Sequence, residues 1–274
     1  MKKNNAVWLS VPYAIWMVVF TLIPLGVVAY YALTDPDTGA FTWKNLQNLS
    51  VYLPVMGQSV GYALISAVIC LLLGYPVAYY IAHRSEVVQK LLYMLVMLPM
   101  CMSFLLRTLA WVGLLQDTGI INNILEAIGL SRVQLIRTPG AVILGMVYNY
   151  LPYMILPLYA VIVKIDNRLI EAAEDLGCTP AKTFLRVVLP LSMPGIVSGI
   201  TMVFVPAVST FYISQKLGSP DTILIGDVIE MQFKSAYNPN LGAALSLVLM
   251  VLIFVCVGVM NRFTDNDDES MVTV

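Results

Sequence analysis

Charge is what this chain has least of. Only 11% of its 274 residues are Asp, Glu, Lys or Arg, while 59% are hydrophobic. Ordinary globular proteins carry roughly 25% charged residues. With a mean hydropathy of +0.82, most of the apolar surface must face lipid, which excludes a soluble domain. A net charge of −1 gives no basic footprint for nucleic acid. Histidine is nearly absent, and the single one, His83, falls at a helix end rather than in a catalytic constellation. Cys70, Cys101 and Cys256 lie in apolar runs and Cys178 in a polar stretch, none with CxxC spacing. A disulfide framework or zinc site is therefore not expected, and each reads as a small hydrophobe. The chain also lacks a GxxxxGK[ST] phosphate loop, and has no internal repeat of the kind inverted-repeat transporters carry.

Long apolar runs are what it has instead. A hydrocarbon core of roughly 30 Å takes about 20 residues of helix. Six candidate spans follow, at about 7–33, 54–82, 91–115, 139–164, 194–214 and 241–262. Backbone groups in lipid must be satisfied within the segment, so the chain is expected to be an all-α polytopic membrane protein with six transmembrane helices. The first run is too long for a signal-peptide core and has no small-residue cleavage pattern, so it is expected to be retained. With the N-terminus inside, Lys2, Lys3, Arg84, Lys90, Lys164, Arg168, Lys182, Arg186 and Arg262 are cytoplasmic. Lys44, Arg132, Arg137, Lys216 and Lys234 are external. Nine against five places both termini in the cytoplasm.

Connections carry their own signals. Asp35, Pro36, Asp37 and Gly39 form an outer turn, Asn122–Leu130 a short surface helix ending at Gly129, and residues 263–274 a polar, disordered cytoplasmic tail. Pro24, Gly74, Pro76, Pro99, Pro152, Pro157 and Pro206 recur within spans, where such residues commonly shape packing. Arg107 is the exception to the apolar rule. It sits eight residues from the outer end of the third span, where a cation must face protein or snorkel outward. A structural or gating role is expected for it.

The most informative stretch is polar: EAAEDLGCTPAKTFLRVVLP, Glu171–Pro190. Asp166 is placed to cap a helix through Leu176, and Gly177 to end it in the left-handed conformation. Thr179 is placed to cap a second helix with Pro180 at its first position, and Pro190 to stop that helix at Leu189. Ala172 and Ala173 keep one surface low for a partner, Glu171, Glu174 and Asp175 offer it charge, and Phe184, Leu185 and Val188 offer it an apolar knob.

The spacing is EAA, three residues, Gly, nine residues, Val187, one residue, then Leu-Pro. It resembles the EAA coupling loop of permease subunits in binding-protein-dependent ABC importers, with Val187 in place of the usual Ile. The resemblance implies the type I ABC importer permease fold. It makes 166–190 a cytoplasmic coupling loop within one transmembrane domain, 1–274. Glu171, Ala172, Ala173, Gly177, Phe184, Leu189 and Pro190 would be the residues that couple to a separate ATPase, which would carry the ATP and Mg. No cofactor is expected in this chain itself, and the chain is not expected to be an enzyme.

Further segments look like polyamine-importer permeases of the spermidine/putrescine subgroup, particularly the B-type subunit. They are LGYPVAYYIA (Leu73–Ala82), LLRTLAWVGLL (Leu105–Leu115), NYLPYMILPLYAVIVKID (Asn149–Asp166), LPLSMPGIVSGI (Leu189–Ile200) and ILIGDVIEMQF (Ile223–Phe233). The implied partners are an ABC ATPase dimer, a second homologous permease, an external polyamine-binding protein and the bilayer of a bacterial inner or plasma membrane. Flexible cations call for carboxylates, carbonyls and aromatic faces. Asp117, Asp221, Asp227, Glu230, Phe211, Tyr212, Trp111 and Tyr237 are the candidates for the pathway or for docking the binding protein. An ABC importer of another small solute is the alternative. Less favoured are an ATP-independent secondary transporter or channel and a membrane-embedded enzyme.

Overall fold

The computed structural model describes residues 11–13, 15–35 and 39–272, with the backbone alone at 46, 48, 261 and 263–272. Lys2, Lys3, Pro36 and Asp37 therefore lie outside the described residues. Among those described there is no β-strand, only an isolated bridge between Thr34 and Phe41. The helices that matter are α1 (Val11–Ala32), α2 (Leu53–Ala82), α3 (Glu86–Met97), α4 (Phe104–Leu115), α5 (Ile120–Ala127) and α6 (Pro139–Ile162). After them come α7 (Asn167–Asp175), α8 (Pro180–Leu191), α9 (Met193–Val208), α10 (Tyr212–Leu217), α11 (Ile225–Lys234) and α12 (Pro239–Val272). Five described stretches are long and apolar enough to cross a bilayer, and α8 with α9, bent by 66°, make a sixth if counted as one span.

Three segments differ from the simple reading of the sequence. The run 91–115 is two helices, α3 and α4, parted by a tight turn at Leu98–Cys101 and extended backbone at Met102 and Ser103. Pro99 withdraws the donor that the Leu95 carbonyl would take in a continuous helix. The run 194–214 is likewise broken, α9 ending at Val208 and α10 beginning at Tyr212. Here the Ser209 hydroxyl donates to Val205 O and Pro206 O at 3.1 and 3.4 Å, offering the backbone an alternative to the helix. The polar tail continues α12 to Val272, because no proline or glycine follows Gly258 to stop it.

The contacts divide the chain into two units. One comprises the described residues of Met1–Pro54 with Val228–Leu252, the other those of Val55–Asp227 with Ile253–Val274. In the first, Ala32 packs against Ala243 and Ala244, and Asn240 Nδ2 donates to Thr34 O at 2.6 Å. In the second, α6 and α9 form the most extensive helix pair. Gly195 and Gly199, a GxxxG spacing, let the backbones close. A Cβ at Gly195 would sit 3.1 Å from the Pro157 carbonyl oxygen, and one at Gly199 would sit 2.6 Å from Met154 Sδ. Met146, Met154, Leu158, Val203 and Phe204 fill the core around this crossing. This unit carries both the loop and the broken helices.

Candidate coupling and translocation site

The loop folds as its local chemistry dictates. Asp166 caps α7, its side chain accepting from Arg168 N at 3.0 Å. At the other end Gly177 takes φ +83°. Gly177 N then donates to Glu174 O at 2.8 Å and Cys178 N to Ala173 O at 3.1 Å, the paired bonds of a Schellman ending. The same closure occurs at Gly129, where Gly129 N donates to Glu126 O and Leu130 N to Leu125 O. Thr179 has the extended backbone of a cap and Pro180 the first helical position, but the Thr179 side chain makes no capping bond.

Pro190 does not stop the second helix at Leu189. The helix widens to a π-turn over Phe184–Val188, runs on to Leu191 and breaks at Ser192. The wide turn moves the chain out of the way of the proline ring, which would otherwise clash four residues back. An identical offset occurs in α1, where a π-turn at Val18–Leu22 precedes Pro24.

One face of α7 is open. Glu171, Ala172, Glu174 and Asp175 are exposed, and Leu176 is 86% exposed. Ala173 is only 8% exposed, so it faces inward and the low surface is Ala172 alone. On α8 the expected apolar knob divides in the same way. Val188 is core, Leu185 is exposed, and Phe184 is clasped by α2. Its ring meets Tyr75 edge-on at 5.4 Å and Tyr79 at 6.0 Å between centroids. Tyr75 Oη shares a 2.7 Å hydrogen bond with Ser192 Oγ at the 66° bend, and Ser192 Oγ donates to Leu189 O. Phe184 thus ties α8 to α2, and Ser192 stands where α8 joins α9. His83 follows the C-terminal end of α2, its Nδ1 2.8 Å from Tyr79 O. A cavity of about 270 Å³ at the loop's root is lined by His83, Arg84, Gln89, Asn167 and Val188 among others.

The pathway and docking candidates differ in exposure and in partners. Asp117 and Asp221 are exposed, Tyr237 is 83% exposed, and Trp111 packs edge-on against Tyr148. Asp227 is buried, and its Oδ2 accepts from Leu224 N at 2.8 Å. It caps its own helix instead of presenting a carboxylate outward, while Ser59 Oγ accepts from Ile225 N. Glu230 is paired with Lys234. Phe211 is 41% exposed at the break before α10, and the ring of the half-buried Tyr212 lies 6.3 Å from that of Phe104 at the start of α4. The start of α4, after its break from α3, thus meets the start of α10, after its break from α9. Arg107, one turn into α4, is 6% exposed.

Residues 71–266, most of the chain, match the model of the family described as binding-protein-dependent transport system inner membrane component. The chain belongs to that family. Among curated relatives, it is 37% identical to the spermidine/putrescine transport system permease protein PotB of Escherichia coli, over 87% of this chain and 90% of that one. It is 39% identical to PotB of Haemophilus influenzae, over 90% of each. Among solved structures, a bacterial ABC transporter involved in the import of the acidic polysaccharide alginate superposes with a TM-score of 0.76. The match covers 97% of this chain and 96% of that one, at 20% identity. The permease is thus a multi-pass transport subunit with the ABC importer permease fold, not an enzyme.

Two features of the permease lay in the sequence unread. The GxxxG of Gly195 and Gly199 is a known signature of close helix approach, and it marks the α6–α9 crossing. Leu176 reads as one more apolar residue of an amphipathic helix, yet it is the most exposed of them, because the Gly177 turn swings the helix end away from the core.

Proposed function

We propose that this chain is one of two permeases of an ATP-driven importer of polyamines, spermidine or putrescine, with both termini in the cytoplasm. Similarity of 37–39% to permeases named for those substrates, over most of the chain, supports the substrate. The observation that carries the mechanism is the helix–Gly–helix loop, open on one face and anchored to α2 and α9 on the other. A separate ATPase dimer binds ATP and Mg and closes on it. The loop moves with the subunit it touches through Glu171, Ala172 and Leu176, and Gly177, Phe184, Leu189 and Pro190 give it the shape that passes the motion on. An external binding protein delivers substrate to the outer mouth, where Asp117, Phe211 and Tyr212 of the second unit supply carboxylate and aromatic surface for ammonium groups. Asp227 contributes by positioning α11.

The test is uptake of radiolabelled spermidine and putrescine into proteoliposomes holding this subunit with its operon partners. Saturable uptake that needs ATP and the binding protein is the expected result. ATPase activity stimulated only by a binding protein loaded with another solute would remove the polyamine assignment. Uptake without the ATPase would remove the mechanism.

A further inference from the structure

Arg107 is a cation nine-tenths buried in a membrane-spanning helix, with its Nε and Nη1 lacking a hydrogen-bond partner among the described residues. It takes part in neither the Arg132–Glu126 nor the Lys234–Glu230 ion pair. The Tyr150 hydroxyl of α6 is used in a 3.3 Å bond to Pro206 O of α9. An uncompensated buried charge is costly, and the fold bears that cost at one particular place. The first hydrogen bond of α4, Arg107 N to Ser103 O at 3.1 Å, starts at the break that parts α3 from α4, and the Phe104–Tyr212 contact brings in the break after α9. Irregular backbone at membrane depth is tolerated where it is buried in protein or lines a water-filled path. Discontinuous helices are how transporters build such a path.

We propose that Arg107 is a fixed electrostatic barrier that keeps the resting pathway closed to cations. An importer working across an inside-negative potential must hold back small cations between cycles, and a guanidinium in a dry constriction does so by repulsion. Opening relieves the barrier by hydrating the site or turning the side chain away. The inference rests on this chain forming half of a translocation pathway, and not on the pathway being for polyamines.

The test uses the complete importer in proteoliposomes, without ATP or binding protein, under an imposed inside-negative potential. Influx of radioactive rubidium is compared for wild type, Arg107→Met and Arg107→Lys, with sorbitol as an uncharged probe. Methionine retains apolar bulk and leaves no donor unpaired, so the complex should assemble. Repulsion between unit charges about 5 Å apart in a protein-like dielectric corresponds to a rate difference on the order of a hundredfold. Rubidium influx should rise by about that factor in Arg107→Met and stay at the wild-type level in Arg107→Lys, with sorbitol excluded from both. An assembled Met variant no leakier than wild type overturns the barrier. So does equal leakage of rubidium and sorbitol, which would mean a steric hole, and so does failure of the Met variant to assemble, which would make the guanidinium a structural tie. Polyamine uptake is not read in this assay, so failure of the substrate assignment would leave its outcome untouched.

Discussion

Gly177 holds φ at +83° with nothing within 4 Å of where a Cβ would stand, so conformation and not space demands the glycine. A non-glycine residue there costs about 1–2 kcal/mol. Gly177→Ala should raise opening of the α7 end roughly tenfold in amide hydrogen exchange of the assembled complex. Gly177→Asn should have a smaller effect, because asparagine tolerates the left-handed region. Equal protection in wild type and the alanine variant would contradict the account. Ala173 makes the complementary point. The EAA spacing was legible, but which of two adjacent alanines faces a partner depends on how α7 rolls against its neighbours. Asp227 likewise reads as a free carboxylate in sequence, and only the folded turn spends it on Leu224 N.

At the scale of elements, proline placement determines more than helix ends. Pro24 and Pro190 each follow a π-turn, while Pro99 coincides with a full break. All three remove one donor. What separates them is whether neighbouring residues allow the turn to widen, and local sequence does not encode that. The α6–α9 crossing is set more rigidly. Gly195→Leu would push a side chain onto the Pro157 backbone oxygen, which cannot rotate away. Overpacking of this kind costs about 1–3 kcal/mol, so the melting temperature of the detergent-solubilised complex should fall by roughly 5 °C. Gly258→Leu, at a position with nothing within 4 Å, should leave it unchanged. An equal drop in both would point to general loss of helix stability instead of the crossing.

For the whole molecule, the question is whether the open face of the loop meets an ATPase. Leu176 is its most exposed apolar residue, and burying a leucine against a partner is worth about 1.5–3 kcal/mol. Leu176→Asp should therefore cut binding-protein-stimulated ATP hydrolysis and uptake together by about tenfold or more, with this permease still inserted and folded. Leu169→Asp, on the same helix but 49% exposed, should do less. Unchanged hydrolysis in Leu176→Asp would move the docking surface elsewhere. Sequence alone establishes that the chain is built of apolar helices suited to a membrane, that a polar helix–Gly–helix loop interrupts them, and where that loop begins and turns. Hydrophobic run length, charge asymmetry and backbone conformation are all local quantities, and a sequence states them directly. Folding decided that the apolar runs 91–115 and 194–214 are each interrupted, that the helices after those breaks meet near a buried arginine, and which face of the loop stays open. Those outcomes depend on which distant side chains pack against a segment, and no local pattern specifies that.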